Sequence, residues 1–142
     1  MDIVLINPSS RRQVYQALGT ELAAVEPPVW AALLAGHCRA QGLAVALIDA
    51  EAEELSAADV AARVRAIKPR LAVVVVYGHQ PSASTQTMSA AGATCSAIKQ
   101  TAPGQKVLLI GGHVSALPER TLREEDCDFV AAGEGWHTLT AL

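Results

Sequence analysis

The sequence predicts an α/β fold, a doubly wound five-stranded parallel sheet, on three observations. Five short apolar runs are spaced along the 142 residues. These runs are apolar throughout rather than alternating, the pattern of strands covered on both faces. Segments of helical character separate them in regular alternation, which makes each connection a crossover and the sheet parallel.

Taken in order, residues 2–7 (DIVLIN) form the first strand. Residues 28–41 follow as a helix, with Pro28 near its first turn and Gly42 just past its end, the usual placement of both residues. The second strand is 43–49 (LAVALID). The next helix, 56–68, opens on Ser56 with Asp59 three residues on, an N-cap pattern, and stops before Pro69. Residues 71–77 (LAVVVVY) are the third strand, and a long helix covers about 82–100 up to the Pro103-Gly104 turn. The fourth strand is 106–110 (KVLLI), a short helix lies near 117–125, and the fifth strand is 129–132 (FVAA). A last helix begins at 135. This alternation suggests the flavodoxin-like (Rossmann-like) strand order 2-1-3-4-5 within one domain spanning 1–142. The connection 9–26 is long for a strand-to-helix link, and long connections in compact domains are often functional.

Composition narrows the class. With 51% apolar and 18% charged residues the chain has the makings of a core and not of a disordered segment. No apolar run approaches the roughly 20 residues that span a bilayer, so no membrane partner is expected. The start, MDIVLINP, does not read as a signal peptide. Cys38, Cys95 and Cys127 are widely spaced and form no CxxC pair, which fits a reducing cytoplasm rather than a disulfide framework or structural zinc. Eleven scattered Lys and Arg and a net charge of −3 argue against a nucleic-acid footprint.

In an open parallel sheet a ligand binds outside the carboxyl ends of the strands, where the strand order reverses. The residues after each strand are therefore the candidate site. They are Asn7, Pro8, Ser9 and Ser10 after the first strand, and Tyr77, Gly78, His79, Gln80 and Ser82 after the third. Gly111, Gly112, His113 and Val114 follow the fourth, and Gly133, Glu134 and Gly135 the fifth. Glycine lets backbone approach a ligand, and Ser, Asn and Gln offer neutral hydrogen bonds to an amide- or hydroxyl-rich molecule. Glycines also end strands with no ligand involved; three clusters on one edge tip the reading toward a site. Several nucleotide sites lack their parts. There is no GxGxxG after the first strand and no GxxxxGK[ST]. The loop Pro8-Ser9-Ser10-Arg11-Arg12 is unlike an FMN phosphate loop, and a phosphorelay receiver would need an acidic residue where Tyr77 stands.

The motif order resembles the N-terminal cobalamin (B12)-binding domain of B12-dependent radical S-adenosylmethionine (SAM) enzymes. The resemblance rests on VLINP, on PPVWAALLAGHCRAQGLAVALIDA, on VRAIKPRLAVVVV, on IKQTAPGQKVLLIGGHVSALPE and on CDFVAAGEGWHTLTAL, together nearly the whole chain. PPVWAALLAG is loosely nearest the branch holding the anaerobic magnesium-protoporphyrin cyclase. The resemblance implies cobalamin as cofactor, with methyl transfer or related radical chemistry supplied by a radical SAM domain in cis or in trans. The 4Fe-4S cluster and S-adenosylmethionine are expected only in that domain, because the three cysteines do not fit CxxxCxxC; the chain alone is expected to hold cofactor and turn nothing over. The broader cobalamin-binding fold often carries DxHxxG after its first strand, whose His ligates cobalt; here Ser9 takes that His position. The resemblance thus implies base-off binding without a protein His, and no metal ligand, with His79 the one weak candidate for cobalt.

Single residues keep a plain reading beside the functional one. His113 either touches ligand or is solvated, Glu134 either accepts from ligand or satisfies a helix start, and Tyr77 either stacks on the nucleotide base or seals the core. His37 reads as structural and His137 as part of a frayed end. Trp30 packs, or caps the domain where a catalytic domain docks, and Trp136 is cut off from its usual surroundings. The Arg11-Arg12 pair meets a propionamide, phosphate or acidic partner, or is simply solvated. A regulatory or interaction domain without cobalamin, or an FMN-type nucleotide binder, is the competing class.

Overall fold

A computed structural model describes residues 1–10, 26–78 and 81–141. Its five strands are β1 (Ile3–Asn7), β2 (Val45–Asp49), β3 (Leu71–Val76), β4 (Val107–Gly111) and β5 (Phe129–Ala131). All pair in parallel, in the order β2-β1-β3-β4-β5. The helices are α1 (Val29–Ala40), α2 (Ala57–Ile67), α3 (Pro81–Thr101), α4 (Gly112–Ala116), α5 (Pro118–Glu124) and α6 (Trp136–Ala141). The expected fold class and strand order are thus those observed. Most of the long 9–26 connection, with Arg11 and Arg12, lies outside the described residues, as do His79 and Gln80.

Local chemistry sets the helix ends. Gly42, at φ +83°, terminates α1: its N–H donates to the Arg39 carbonyl at 3.0 Å and that of Leu43 to the Cys38 carbonyl at 3.1 Å. That pair of bonds needs a left-handed residue, the conformation glycine adopts without penalty. At α2 the Asp59 N–H donates to Ser56 Oγ (3.2 Å) while Ser56 N–H donates to the Asp59 carboxylate (3.0 Å), closing a capping box.

The strands read as continuous apolar runs because both sheet faces are covered. Val4, Ile6, Val74 and Leu109 pack with Val60, Val64 and Ile98 under α2 and α3. Ile3, Leu5, Val73, Leu108 and Ile110 pack with Leu34 and Leu139 under α1 and α6.

One departure from the sequence reading matters for the site. Between β4 and the helix expected near 117–125 the chain makes a further helical turn, α4. Val114 is fully buried in the α2–α3 core, and Ser84 Oγ accepts the His113 N–H at 2.9 Å, holding the turn from below. The signal is tertiary: nothing local in Gly111-Gly112-His113 announces a helix.

At the amino edge of the sheet, Asp128 gathers three donors. Lys99 Nζ lies 2.5 Å and Lys106 Nζ 3.0 Å from its carboxylate, and the Val107 N–H donates to it at 2.8 Å. Burial by itself would raise this carboxyl, but the Lys99 ammonium, the Val107 N–H and Lys106 hold it below the ordinary Asp value. Asp128→Ala should cost about 2–3 kcal/mol, the range for losing charge-assisted hydrogen bonds, read as a lower denaturation midpoint. Because the folded value is the lower one, this stabilisation is present above the unfolded value near pH 4 and is lost as pH falls through the folded value. An acid titration of stability should therefore show a smaller loss below about pH 4 in Asp128→Ala than in the parent.

Candidate functional site

The parallel register places every strand's carboxyl end on one edge, with Asn7 opposite Asp49 and Val76 opposite Gly111. The order reverses between β1 and β3, and there a cleft of about 490 Å³ opens. Its floor is Asn7 and Pro8 beyond β1 and Tyr77 and Gly78 beyond β3. The first turns of α1 (Trp30, Ala31) and α3 (Gln86, Thr87) form its sides, with Ser10 and Glu51 at the rim. A cleft of this size falls in the range of about 300–1,000 Å³ typical of small-molecule sites.

The polar floor is pre-set by hydrogen bonds within the chain. Asn7 Nδ2 donates to the Asp49 carboxylate at 2.8 Å, which also accepts the Ala52 N–H at 3.2 Å. Ser10 N–H donates to the Glu51 carboxylate at 2.7 Å. These bonds tie the loops after β1 and β2 together, fixing one wall.

The other wall is aromatic. The rings of Trp30 and Tyr77 stack with centroids 4.5 Å apart and planes at 23°. The Tyr77 hydroxyl donates to the Gly133 carbonyl at 3.2 Å, and Ser115 both donates to that carbonyl and accepts the Gly133 N–H, each at 3.0 Å. Burial, with the Glu134 charge adding to it, raises the Tyr77 phenol above its usual value, so at neutral pH it is a hydrogen-bond donor. Tyr77 thereby joins the ends of β3 and β5 while lining the cleft.

The sequence-derived residues separate into groups. Asn7, Pro8, Ser10, Tyr77 and Gly78 line the cleft. Ser9 lines a second cavity of about 290 Å³ between α2 and α3. Ser82 is exposed at the start of α3, and His79 and Gln80 lie outside the described residues. Gly111, Gly112, His113, Val114, Gly133, Glu134 and Gly135 sit along the same edge without lining the cleft. His113 Nδ1 is 3.0 Å from Thr85 Oγ1, and the Glu134 carboxylate accepts the Trp136 indole N–H at 3.0 Å. Trp136 also meets His37 edge-on at 5.3 Å, which gives both side chains a packed setting.

The glycines of the edge divide by what a side chain would meet. A Cβ at Gly78 would overlap Ala83, one at Gly111 the Val76 carbonyl, and one at Gly135 the Ile110 side chain. Those positions are closed by the protein itself. Gly112 has only Ser84 at 3.5 Å, and Gly133, at φ +85°, has open space above it. Only these two leave room for a ligand to approach backbone.

Sequence reasoning missed Trp30 and Ala31 as cleft walls, along with Glu51, Gln86 and Thr87. Glu51 was accessible in principle, since it follows the second strand just as Ser9 follows the first. The thiols take no part in the cleft. Burial raises Cys38, and burial with Glu125 nearby pushes Cys127 up to about 11, so both stay protonated and unreactive at neutral pH. Among the described residues no group of three His, Cys, Asp or Glu is placed to hold a metal ion, and no helix is long and apolar enough to cross a membrane.

A doubly wound parallel sheet with a part-aromatic cleft at its switch point defines a ligand-binding α/β domain. The B12-binding domain family model matches residues 15–142, and the chain belongs to that family. Over 143 positions, covering the whole chain, it is 30% identical to an uncharacterized methyltransferase of Pyrococcus horikoshii, of which the match spans 28%. No solved structure matches the chain significantly.

Proposed function

We propose that this chain is the cobalamin-holding module of a B12-dependent radical SAM enzyme and binds the cofactor base-off. The observation that carries the reading is the cleft at the β1/β3 switch point, with its Trp30–Tyr77 wall. The residues present fit the group. A flat nucleotide base would find the aromatic side chains of Trp30 and Tyr77 and the apolar Pro8, Ala31 and Ala83 lining the cleft. Its ribose and the corrin amides find Asn7, Ser10, Gln86 and Thr87 as neutral partners. The cleft is too small for the whole cofactor, so the corrin would lie over the strand ends, where Gly112 and Gly133 leave backbone approachable.

When bound, cobalamin supplies the chemistry, methyl carriage in the methyltransferase reading. The chain's own part is positioning. Ser9, at the place where a ligating His stands in related loops, offers no imidazole to cobalt, and among the described residues no His lines the cleft. Tyr77, held by Gly133, keeps the aromatic wall at a fixed height. Asn7, held by Asp49, ties the end of β1 to the end of β2 on the opposite side. The radical SAM machinery would belong to a further domain that also binds the methyl acceptor; that the match spans only 28% of a longer methyltransferase supports a catalytic part outside this module.

The test is retention of hydroxocobalamin by the purified chain through desalting. One equivalent with a base-off visible spectrum is expected. A colourless eluate removes the reading, and retained flavin absorbance in its place establishes the FMN-type alternative.

A further inference from the structure

The polarity of the cleft floor is set by the chain itself. Asn7 Nδ2 donates to Asp49 Oδ1 at 2.8 Å, and the same oxygen accepts the Ala52 N–H at 3.2 Å. A carboxylate oxygen only accepts, so the nitrogen of the Asn7 amide has to face it, and the carbonyl oxygen Oδ1 is left on the amide's other branch. Asn7 is half-buried and lines the cleft, and among the described residues its Oδ1 has no hydrogen-bond partner. The donors around it are engaged within the chain. The Tyr77 hydroxyl donates to the Gly133 carbonyl at 3.2 Å, the Thr87 hydroxyl to the Ala83 carbonyl at 2.9 Å and the Ser10 N–H to the Glu51 carboxylate at 2.7 Å. Pro8, Pro27 and Pro28 line the same cleft and carry no N–H at all. Among the described side chains of the cleft, the Trp30 indole N–H alone is a fixed donor without an acceptor; the Ser10 hydroxyl and the Gln86 amide can present either kind of group.

We infer that Asn7 is the residue through which the cleft reads the nucleotide of a corrinoid: its Oδ1, oriented by Asp49, accepts an N–H or O–H donor of that nucleotide. The inference rests on the cofactor reading above and gives one atom of the same site its role. Asn7 stands on the floor of a cleft too small for the corrin ring, so the group that reaches it belongs to the inserted tail. A carbonyl oxygen covered by ligand without a donor loses its water and gains nothing in return, which disfavours any tail that offers none. Two parts of a corrinoid nucleotide can supply the donor. A ribose hydroxyl is present whatever the base, whereas an exocyclic amino group is carried by adenine and lacking in dimethylbenzimidazole.

Titration with three corrinoids, followed by visible absorbance, tests this: hydroxocobalamin, its adenine-bearing counterpart, and cobinamide, which has no nucleotide. The parent chain should hold a nucleotide-bearing form about tenfold or more tightly than cobinamide. Asn7→Leu removes the acceptor and should weaken a nucleotide-bearing form about tenfold or more, while cobinamide binding stays as in the parent. Asn7→Ala, which adds no bulk, should repeat that pattern, and the denaturation midpoint of each variant checks the fold. A loss confined to the adenine-bearing form identifies the amino group as the donor; an equal loss for both forms identifies the ribose hydroxyl. Folded variants that bind both forms as the parent does overturn the inference. So does an equal loss on cobinamide, or a parent that holds cobinamide as tightly as hydroxocobalamin. Those results leave the cofactor reading standing, whereas a parent that retains none of the three corrinoids removes that reading and this inference with it.

Discussion

Gln86→Trp should abolish hydroxocobalamin uptake, with a loss of at least a hundredfold in affinity, while the fold stays intact. Gln86 is exposed near the start of α3 and lines the cleft on the side that α3 forms. An indole there occupies the space assigned to the nucleotide base without entering either core cluster. Substituting an exposed helical residue costs only about half a kcal/mol. A hundredfold loss corresponds to about 2.7 kcal/mol of binding free energy, so the two effects are well separated. Titration followed by visible absorbance reads the first, and the denaturation midpoint the second. Unaltered uptake in a folded Gln86→Trp places the ligand elsewhere on the strand-end edge.

The adjacent glycines Gly111 and Gly112 should respond in opposite ways. At Gly111 a methyl group would overlap the Val76 carbonyl, an atom of the neighbouring strand that cannot yield without breaking the β3–β4 ladder. Gly111→Ala should therefore destabilise by about 3 kcal/mol or more, at the upper end of overpacking effects, and lower the chemical midpoint accordingly. At Gly112 the methyl group would sit 3.5 Å from Ser84, an ordinary contact, so Gly112→Ala should fold with near-parental stability. The larger Gly112→Val should fold and lose cobalamin if the corrin edge passes over that backbone. A folded Gly112→Val with unchanged uptake removes Gly112 from the site. A Gly111→Ala of parental stability would show that the close β3–β4 approach is not what demands glycine there.

The contrast shows how far the sequence reaches. Both glycines end a strand and look alike in a string of letters; what separates them is the Val76 carbonyl, supplied by a strand 35 positions upstream. The strands themselves were legible because burial on both faces leaves continuous Val, Ile and Leu runs. The α2 start was legible because a capping box is a local device. The α4 turn was not, since Ser84 and the core around Val114 create it. The same holds for the cleft. Asn7, Pro8, Ser10, Tyr77 and Gly78 follow from the rule that ligands sit beyond strand ends. Trp30, Gln86 and Thr87 enter through the way α1 and α3 lean over the sheet, a property of packed layers with no local signature. Tyr77, left open between stacking on ligand and sealing the core, stacks on Trp30 and hydrogen-bonds Gly133 while lining the cleft.

Entry of cofactor between the ends of β1 and β3 would be read in the amide chemical shifts of the 15N-labelled chain titrated with hydroxocobalamin, whose low-spin cobalt(III) is diamagnetic. Saturation at one equivalent is expected, with the largest changes at Asn7, Ser10, Trp30, Tyr77, Gly78, Gln86 and Thr87. Smaller changes are expected at Gly112 and Gly133, and none at Lys99, Lys106 or Asp128 on the opposite edge. Binding that leaves the β1 and β3 ends unmoved, or no change at millimolar cofactor, contradicts it.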